Sequence, residues 1–464
     1  MNYPVSELVI DPVLIRKYDI SGPRFTSYPT ADRFVPAFGE GTYQHWLARR
    51  NAGGMGQPLS VYVHLPFCNT VCYYCACNKL VTRDRSKSAR YIAHLAKEIG
   101  LVGSVLTGNR RISQMHWGGG TPTFLAREEM RTLCNAINAQ FYHSADCECS
   151  IEVDPRSVEP GMMAFLSELG FNRVSIGVQD FDPAVQKAVH RIQTESETRR
   201  VIEESRAAGF RSVSLDLIYG LPKQTLASFD TTVDRVLGLD PDRIALYSYA
   251  HLPHRFKPQR SIAAAELPSA DTKLQILTLA ISRLTSAGYL YIGMDHFAKP
   301  GDDLAVAQRE GRLQRNFQGY STRAECDMLG FGVSAIGRVG PIYSQNRKDL
   351  DGYYAALDDG HLPVAGGIVL TQDDLVRRAV IQALACQFRL SFDSIERTFP
   401  MDFRNYFAPE LRELNKLEQD GLVKVRPECI EVTAKGRLLV RIVCMVFDRH
   451  LREGRQQASY SKVM

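Results

Sequence analysis

Between residues 59 and 249 the chain alternates between short β-branched or apolar runs and longer charged stretches. The runs 59–65, 112–117, 149–153, 173–178, 212–218 and 244–249 have the composition and length of strands. The stretches 88–106, 127–141, 160–169, 195–208 and 224–237 read as amphipathic helices. In 88–106, Tyr91, Ile92, Leu95, Ile99, Val102 and Leu106 fall at steps of three and four, which sets them on one helical face. Strands separated by helices are parallel and joined by right-handed crossovers. The expected fold class is therefore α/β, an open or partial (β/α) barrel. Its chemistry belongs at the C-terminal ends of the strands.

The chain is 464 residues long and 45% hydrophobic, enough for one large catalytic domain with smaller attachments. Residues 1–50 read as an N-terminal extension over the active site. Its Pro- and Gly-punctuated segment 21–30 excludes a regular helix. A Gly-rich linker follows at 51–58, and the catalytic domain is expected over 51–368. From about residue 370 the alternation stops. Helices are expected at 373–388, 393–398, 409–420 and 434–451, with a small hairpin formed by 423–425 and 430–432. This mainly helical, winged-helix-like C-terminal domain, 369–464, reads as a packing lid. No dense basic run marks a recognition helix, and a net charge of +5 is too mild to argue for nucleic acid. No secretory h-region and no run long enough to span a bilayer is present, so a cytoplasmic chain without a membrane partner is expected.

Four of the eleven cysteines, Cys68, Cys72, Cys75 and Cys77, crowd into ten residues just after the first expected strand. The rest, among them Cys134, Cys147 and Cys149, are scattered through core-like segments and read as structural thiols. A crowded group in a large chain without a signal peptide points to metal in a reducing compartment. The spacing C-x3-C-x2-C matches neither a ferredoxin pattern nor paired zinc C-x2-C motifs. Three thiolates on one short loop can hold a 4Fe–4S cluster on Cys68, Cys72 and Cys75 and leave one iron open. That iron can chelate the amino and carboxylate groups of S-adenosylmethionine (SAM) and pass an electron to the sulfonium. The product is a 5′-deoxyadenosyl radical. The alternative is a zinc knuckle, possible with Cys77 or His64 as fourth ligand. Cys77 is read as a non-ligand near the site.

Polar groups close the later strands. His116-Trp117-Gly118-Gly119-Gly120-Thr121 follows the second, where glycines allow close backbone approach and could aim N–H groups at a carboxylate. Glu152 and Asp154 follow the third strand and Gln179 and Asp180 the fourth. Asp216 lies in the fifth, and Tyr249-Ala250-His251 follows the sixth. Singly each could be a cap; together they describe a ring around one mouth. In it Glu152 could accept from the SAM amino group, and Asp216 or Gln179 from ribose hydroxyls.

The sequence resembles the oxygen-independent coproporphyrinogen III oxidases nearly end to end. The matching segments are SGPRFTSYPTAD (21–32), VYVHLPFCNTVCYYCACNK (61–79), MHWGGGTPT (115–123), IEVDPR (151–156), GFNRVSIGVQDF (170–181), LDLIYGLPKQT (215–225), YAHLP (249–253), GMDHFA (293–298), RNFQGYST (315–322) and TAKGRLLVR (433–441). The resemblance implies a partial barrel of radical SAM type. It implies oxidative decarboxylation, without oxygen, of two propionates of coproporphyrinogen III to vinyl groups, giving protoporphyrinogen IX. It implies one 4Fe–4S cluster on Cys68, Cys72 and Cys75, and two SAM per turnover. Tyr62, Gly119, Glu152 and Ile336 would line the first SAM. Tyr74, Gly120, Thr121, Gln179, Arg191, Asp216 and Ala250 match contacts of a second. No residue is assigned as a catalytic acid or base. Ala76, Phe25 and Tyr74 depart from the residues usual in the family, and none is a cluster ligand. Arg24, Arg255, Arg260 and Arg315 are candidates for the substrate carboxylates. A flavodoxin or ferredoxin donor, an unknown electron acceptor and a monomeric state complete the expectation. Two other functions remain in view. Radical SAM haem chaperones share the cysteine loop but generally lack the 21–32 motif and Cys77. A zinc-stabilised nucleic-acid-binding protein would use the C-terminal fold.

Overall fold

The computed structural model describes residues 8–50, 56–324, 326–452, 460 and 462, so most of the linker read at 51–58 lies outside the described residues. The chain forms two compact units. One comprises Arg33–Ile276 and Glu325–Val369. The other comprises Met1–Asp32, Leu277–Ala324 and Leu370–Met464.

The first unit is built on parallel strands β1 (Leu59–Leu65), β2 (Arg111–Gly119), β3 (Tyr142–Val153), β4 (Arg173–Gln179), β5 (Ser212–Tyr219) and β6 (Arg243–Ser248), paired in chain order. The longer helices between them are α1 (Ser86–Val105), α2 (Arg127–Gln140), α3 (Met162–Glu168), α4 (Glu195–Ala207) and α5 (Leu226–Leu239), and an unanticipated short helix, Pro183–Ala188, precedes α4. The strands and longer helices are the expected elements, with ends moved by one or two residues except in β3, which begins at Tyr142, seven residues before the expected start. The strand interiors alternate between the buried core and the barrel mouth, as a two-residue period requires. All six apolar residues of the expected helix face at 88–106 are buried. Each such side chain contributes roughly 1.5–3 kcal/mol on leaving water.

Four further strands were not anticipated. β7 (Asp327–Phe331) pairs parallel with the free side of β1, Leu59 opposite Asp327 and Val63 opposite Phe331. The antiparallel strands β8 (Ile336–Val339), β9 (Ile342–Asn346) and β10 (Val364–Val369) extend the sheet beyond it. Within this unit the strand order runs from β10 to β6 in a line and does not return to its start, a partial barrel.

One buried acid ties the late strands to the first helix. Glu98 of α1 accepts from the Gly332 N–H (2.8 Å), Asn346 Nδ2 (2.6 Å) and the Tyr353 hydroxyl (2.6 Å). Tyr91, one helical stretch earlier, donates to the His64 carbonyl at the end of β1 (2.7 Å). Together these bonds fix the last turn of β1 from which the cysteine loop departs.

In the other unit the hairpin Val423–Val425 and Cys429–Val432 forms as expected and takes Arg389–Ser391 as a third strand. Helices Gln372–Gln387, Phe392–Thr398 and Ala408–Gln419 also match. The expectation of one helix over 434–451 is corrected. The chain turns through residues 433–439 before Val440–Val446, and a short turn of helix follows at Arg449–Arg452. A side chain at Gly436 would collide with the Leu422 carbonyl, and Thr433 Oγ1 accepts the Gly436 N–H (3.2 Å), so this stretch is held as a turn. The segment beginning at Ser21 is anchored by Arg441, whose Nε donates to the Pro23 carbonyl (3.0 Å).

Burial pushes the Glu98 carboxyl up from 4.5 to about 7, against the three donors that favour its charge. An acid raised in this way stabilises the fold fully below its unfolded value and loses that contribution as pH climbs through about 7. Chemical denaturation should therefore show stability falling between pH 5 and 8, with a flatter profile in Glu98→Gln. Glu98→Ala, which strands three buried donors, should cost about 3 kcal/mol.

Candidate active site

The cysteine loop starts where β1 ends and is closed at its neck. Phe67 and Cys68 pair in parallel with Leu80 and Val81, Leu80 N–H donates to the Pro66 carbonyl (2.6 Å), and Thr82 N–H to the Cys68 carbonyl (3.0 Å). Inside the loop Cys75 N–H donates to the Cys72 carbonyl (3.2 Å), a tight turn that brings these two cysteines together. The outside is clamped as well. Tyr73 N–H donates to the Val189 carbonyl (3.0 Å), and the Tyr73 ring stacks on His190 with centroids 5.1 Å apart. Gln259 Nε2 donates to the Tyr74 carbonyl (3.1 Å) and Lys79 Nζ to the Cys75 carbonyl (3.1 Å). Tyr74 packs with Tyr73 against the buried cluster formed by Val185, Val189, Leu221, Tyr249 and Ile262.

The loop forms one wall of a cavity of about 340 Å³ at the C-terminal ends of the strands. Cys68, Cys72, Cys75 and Cys77 all line it, and so do Tyr74, Gly119, Gly120, Thr121, Glu152, Gln179, Arg191 and Asp216. Of the residues expected to contact either SAM, Tyr62, Ile336 and Ala250 do not line it. Tyr62 stacks on His116 (5.9 Å between centroids) one layer beneath Glu152. Ile336 opens β8, and Ala250 follows β6.

Charge around the thiols is organised by Asp154. It accepts from Arg156 Nη2 (2.6 Å) and Arg191 Nη1 (3.0 Å), and both guanidiniums also reach Cys72 Sγ, at 3.7 and 3.6 Å. Arg191 Nη2 donates to the Gly177 carbonyl (2.6 Å), where a Cβ would strike that guanidinium. Thr121 Oγ1 donates to Cys68 Sγ (3.6 Å). A hydrogen bond from the Cys77 thiol, with help from Lys79, lowers the Cys75 thiol to about 5 in spite of burial, while Cys77 itself is raised. Soft thiolate donors on one short loop, flanked by two arginines and a lysine, fit an anionic iron–sulfur cage. They do not fit the zinc knuckle with His64 as a ligand. His64 Nε2 donates to the Asn78 carbonyl (2.9 Å) and Nδ1 accepts from the Tyr62 hydroxyl (3.0 Å), so both ring nitrogens are engaged. Burial also lowers the His64 pKa and keeps the ring neutral.

The polar ring is partly as expected. Glu152 accepts from His116 Nε2 (3.3 Å) and the Gly119 N–H (3.1 Å). Burial alone would raise it, but the histidine and the amide leave it lowered and ionised. Asp216, which accepts from Ser175 Oγ (3.0 Å), is pushed up to about 7 by burial and by the charge of Glu152. Gln179 has φ 68, a left-handed backbone at a β-bulge between β4 and β5. That kink sends Gln179 into the cavity and Asp180 away from it. Asp180 is 1% exposed and accepts from Thr232 Oγ1 (2.7 Å) and Gln224 Nε2 (2.5 Å), so it leaves the ring and serves the core.

The glycine run also works differently from expectation. Gly119 N–H is taken by Glu152, Gly120 N–H by the Leu65 carbonyl (2.8 Å) and Thr121 N–H by the Phe67 carbonyl (2.7 Å). These amides are not aimed at a ligand. The glycines are needed because the Phe67 and Leu65 carbonyls lie where a Gly120 Cβ would sit, and His64 where a Gly119 Cβ would sit at φ 109. Arg156, Lys79 and Ser175 were missed as site residues. Arg156 was within reach, since it stands two positions past Asp154 at a strand end.

Residues 62–236 match the model of the Radical SAM superfamily, and residues 370–439 that of the HemN C-terminal domain. The oxygen-independent coproporphyrinogen III oxidase of Pseudomonas aeruginosa is 52% identical over 443 residues, covering 95% of this chain and 96% of the relative. The chain belongs to the oxygen-independent coproporphyrinogen III oxidase family. The Escherichia coli protein of the same name is 48% identical over 99% of this chain and 100% of its own length. The solved structure of the Escherichia coli coproporphyrinogen III oxidase, described as a radical SAM enzyme, superposes with a TM-score of 0.90 over 96% of this chain, at 47% identity. As a member of this family the chain is an oxidoreductase that uses a 4Fe–4S cluster and SAM.

Iron analysis after anaerobic reconstitution separates ligands from neighbours. Cys68→Ser, Cys72→Ser and Cys75→Ser should each lose most of the iron. Cys77→Ala should keep the full complement; a loss as deep as that of Cys75→Ser would make Cys77 a ligand.

Proposed function

We propose that this chain converts coproporphyrinogen III to protoporphyrinogen IX without oxygen, by oxidative decarboxylation of two propionates to vinyl groups. The observation that carries this reading is the cavity itself. The cysteine loop and the polar ends of β3, β4 and β5 face one space, within a chain that aligns over 95% and 99% of its length with two oxygen-independent coproporphyrinogen III oxidases. When bound, the cluster and SAM supply an electron and a 5′-deoxyadenosyl radical able to take hydrogen from the propionate β-carbon.

The chain's own residues then have separable tasks. Cys68, Cys72 and Cys75 hold the cluster, and Arg156 and Arg191 offset its negative charge while Asp154 keeps both in place. Glu152, kept ionised by His116 and the Gly119 amide, would accept from the ammonium of the first SAM, with Gly119 on the same wall; Tyr62 and Ile336, outside the cavity lining, are assigned to that SAM by the family resemblance. Tyr74, Gly120, Thr121, Gln179, Arg191 and Asp216 would serve the second, with Asp216 or Gln179 accepting from ribose hydroxyls, and Ala250, outside the cavity lining, is assigned to it by the resemblance. Arg255 and Arg260, both exposed after β6, are candidates for the substrate's carboxylates. Arg24 and Arg315 belong to the other unit, where Arg315 Nε donates to the Arg24 carbonyl (3.3 Å). We further take residues 51–368 as the catalytic domain, 1–50 as its extension and 369–464 as a mainly helical, winged-helix-like C-terminal domain. The enzyme would act as a cytoplasmic monomer fed by flavodoxin or ferredoxin. No helix among the described residues is long and apolar enough to cross a membrane.

The decisive assay incubates reconstituted, reduced protein anaerobically with coproporphyrinogen III and SAM. Chromatography should show protoporphyrinogen IX and 5′-deoxyadenosine, and Cys72→Ser should form neither. Substrate left intact while SAM is cleaved would contradict the assignment.

A further inference from the structure

A second cluster of metal-type ligands lies away from the cysteine loop, near the start of β3. His143 pairs with Ile112 of β2 and Glu148 with Gln114, so three more residues separate the pair on β3 than on β2. The surplus forms an outward excursion across 144–147. An unbroken strand would carry His143 and Cys149 about 20 Å apart, at roughly 3.3 Å per residue. The excursion instead folds the imidazole back over the cysteines. His143 Nδ1 lies 3.4 Å from Cys147 Sγ and 3.6 Å from Cys149 Sγ, and the two sulfurs are 3.5 Å apart. Tetrahedral zinc, with bonds of about 2.3 Å to sulfur and about 2.0 Å to nitrogen, sets its ligands roughly 3.5–3.8 Å apart. The three atoms thus already mark one face of such a tetrahedron.

The backbone beneath them is fixed. Asn172 Nδ2 donates to the Cys147 carbonyl (2.9 Å), and Cys149 N–H donates to Asn172 Oδ1 (3.2 Å). Asn172 N–H adds a bond to the Cys149 carbonyl (2.9 Å). Cys147 and Cys149 are buried, whereas His143 opens to solvent, which gives an ion a way in. Cys134 on α2 is buried and close enough to raise the Cys149 thiol, but it does not join the group. Cys149 points to the face of β3 opposite Glu152, so the group is separate from the cavity.

We propose that His143, Cys147 and Cys149 form a structural site for a thiophilic divalent cation of the zinc class, clipping the 144–147 excursion to β3. Binding displaces one proton from each of the two thiols, and no electron changes hands.

The test uses the full-length holoenzyme, cluster intact, under reducing anaerobic conditions with zinc chloride alone. After desalting, zinc and iron are measured together and the zinc environment is read by X-ray absorption. The expected result is about one zinc per chain with unchanged iron and two sulfurs at about 2.3 Å. His143→Ala and the pair Cys147→Ser with Cys149→Ser should lose zinc affinity at least tenfold and retain their iron. His143→Ala removes a solvent-facing ring, so it reports even if the double variant folds poorly. Failure of the wild type to retain zinc, uptake only as iron leaves, or equal uptake by His143→Ala would overturn the proposal. None of these readouts depends on the decarboxylation assay.

Discussion

A cluster on three thiolates is anionic and needs positive charge beside it, and here two guanidiniums, held in place by the Asp154 carboxylate, stand against Cys72. Asp154 binds Arg156 and Arg191, and one nitrogen of each, Arg156 Nη2 and Arg191 Nη1, also reaches Cys72 Sγ. Burial would push Asp154 up, but the arginines hold it below its usual range, so the group keeps a net positive charge facing the loop. Hydrogen bonds to sulfur and nearby charge are the means by which a protein tunes an iron–sulfur centre. Without this arrangement the clamps at Val189, Gln259 and Lys79 would order a loop with no positive charge beside Cys72 to offset an anionic cluster.

The same cavity shows how one sheet assigns different states to similar carboxyls. Glu152 has a histidine and an amide and stays ionised. Asp216 has one serine and a charged neighbour, and titrates near neutrality. Asp180, one residue from the cavity-lining Gln179, is turned by a bulge into the core and raised by burial. Position along the strand alone does not decide these outcomes; the partner set does.

Much of the fold was legible because β1 to β6 and their helices carry strong local periodicity. Strands β7 to β10 were not, since they are short and broken by Gly330, Gly337, Gly366 and Gly367. These glycines stand where a Cβ would meet a neighbouring backbone or ring. The helix expected at 434–451 failed at Gly436, where a tertiary contact with Leu422 overrides local preference. In the site, spacing revealed the cysteine loop, and strand ends revealed Glu152, Gln179 and Asp216. The pairing of Arg156 with Cys72 needed the loop's path, since the two are far apart in sequence. Likewise Cys147 and Cys149 read as scattered thiols, because the register change that delivers His143 to them exists only in the paired strands.

At the centre of the account is a cluster held by three thiolates with one iron left for SAM. Mössbauer spectroscopy of iron-57-reconstituted, anaerobic protein, recorded before and after SAM is added, tests this most directly. A single iron of the cluster should change its isomer shift and quadrupole splitting when SAM binds, while the others keep sulfur-ligated parameters. Four irons with identical sulfur-type parameters, unmoved by saturating SAM, would contradict it.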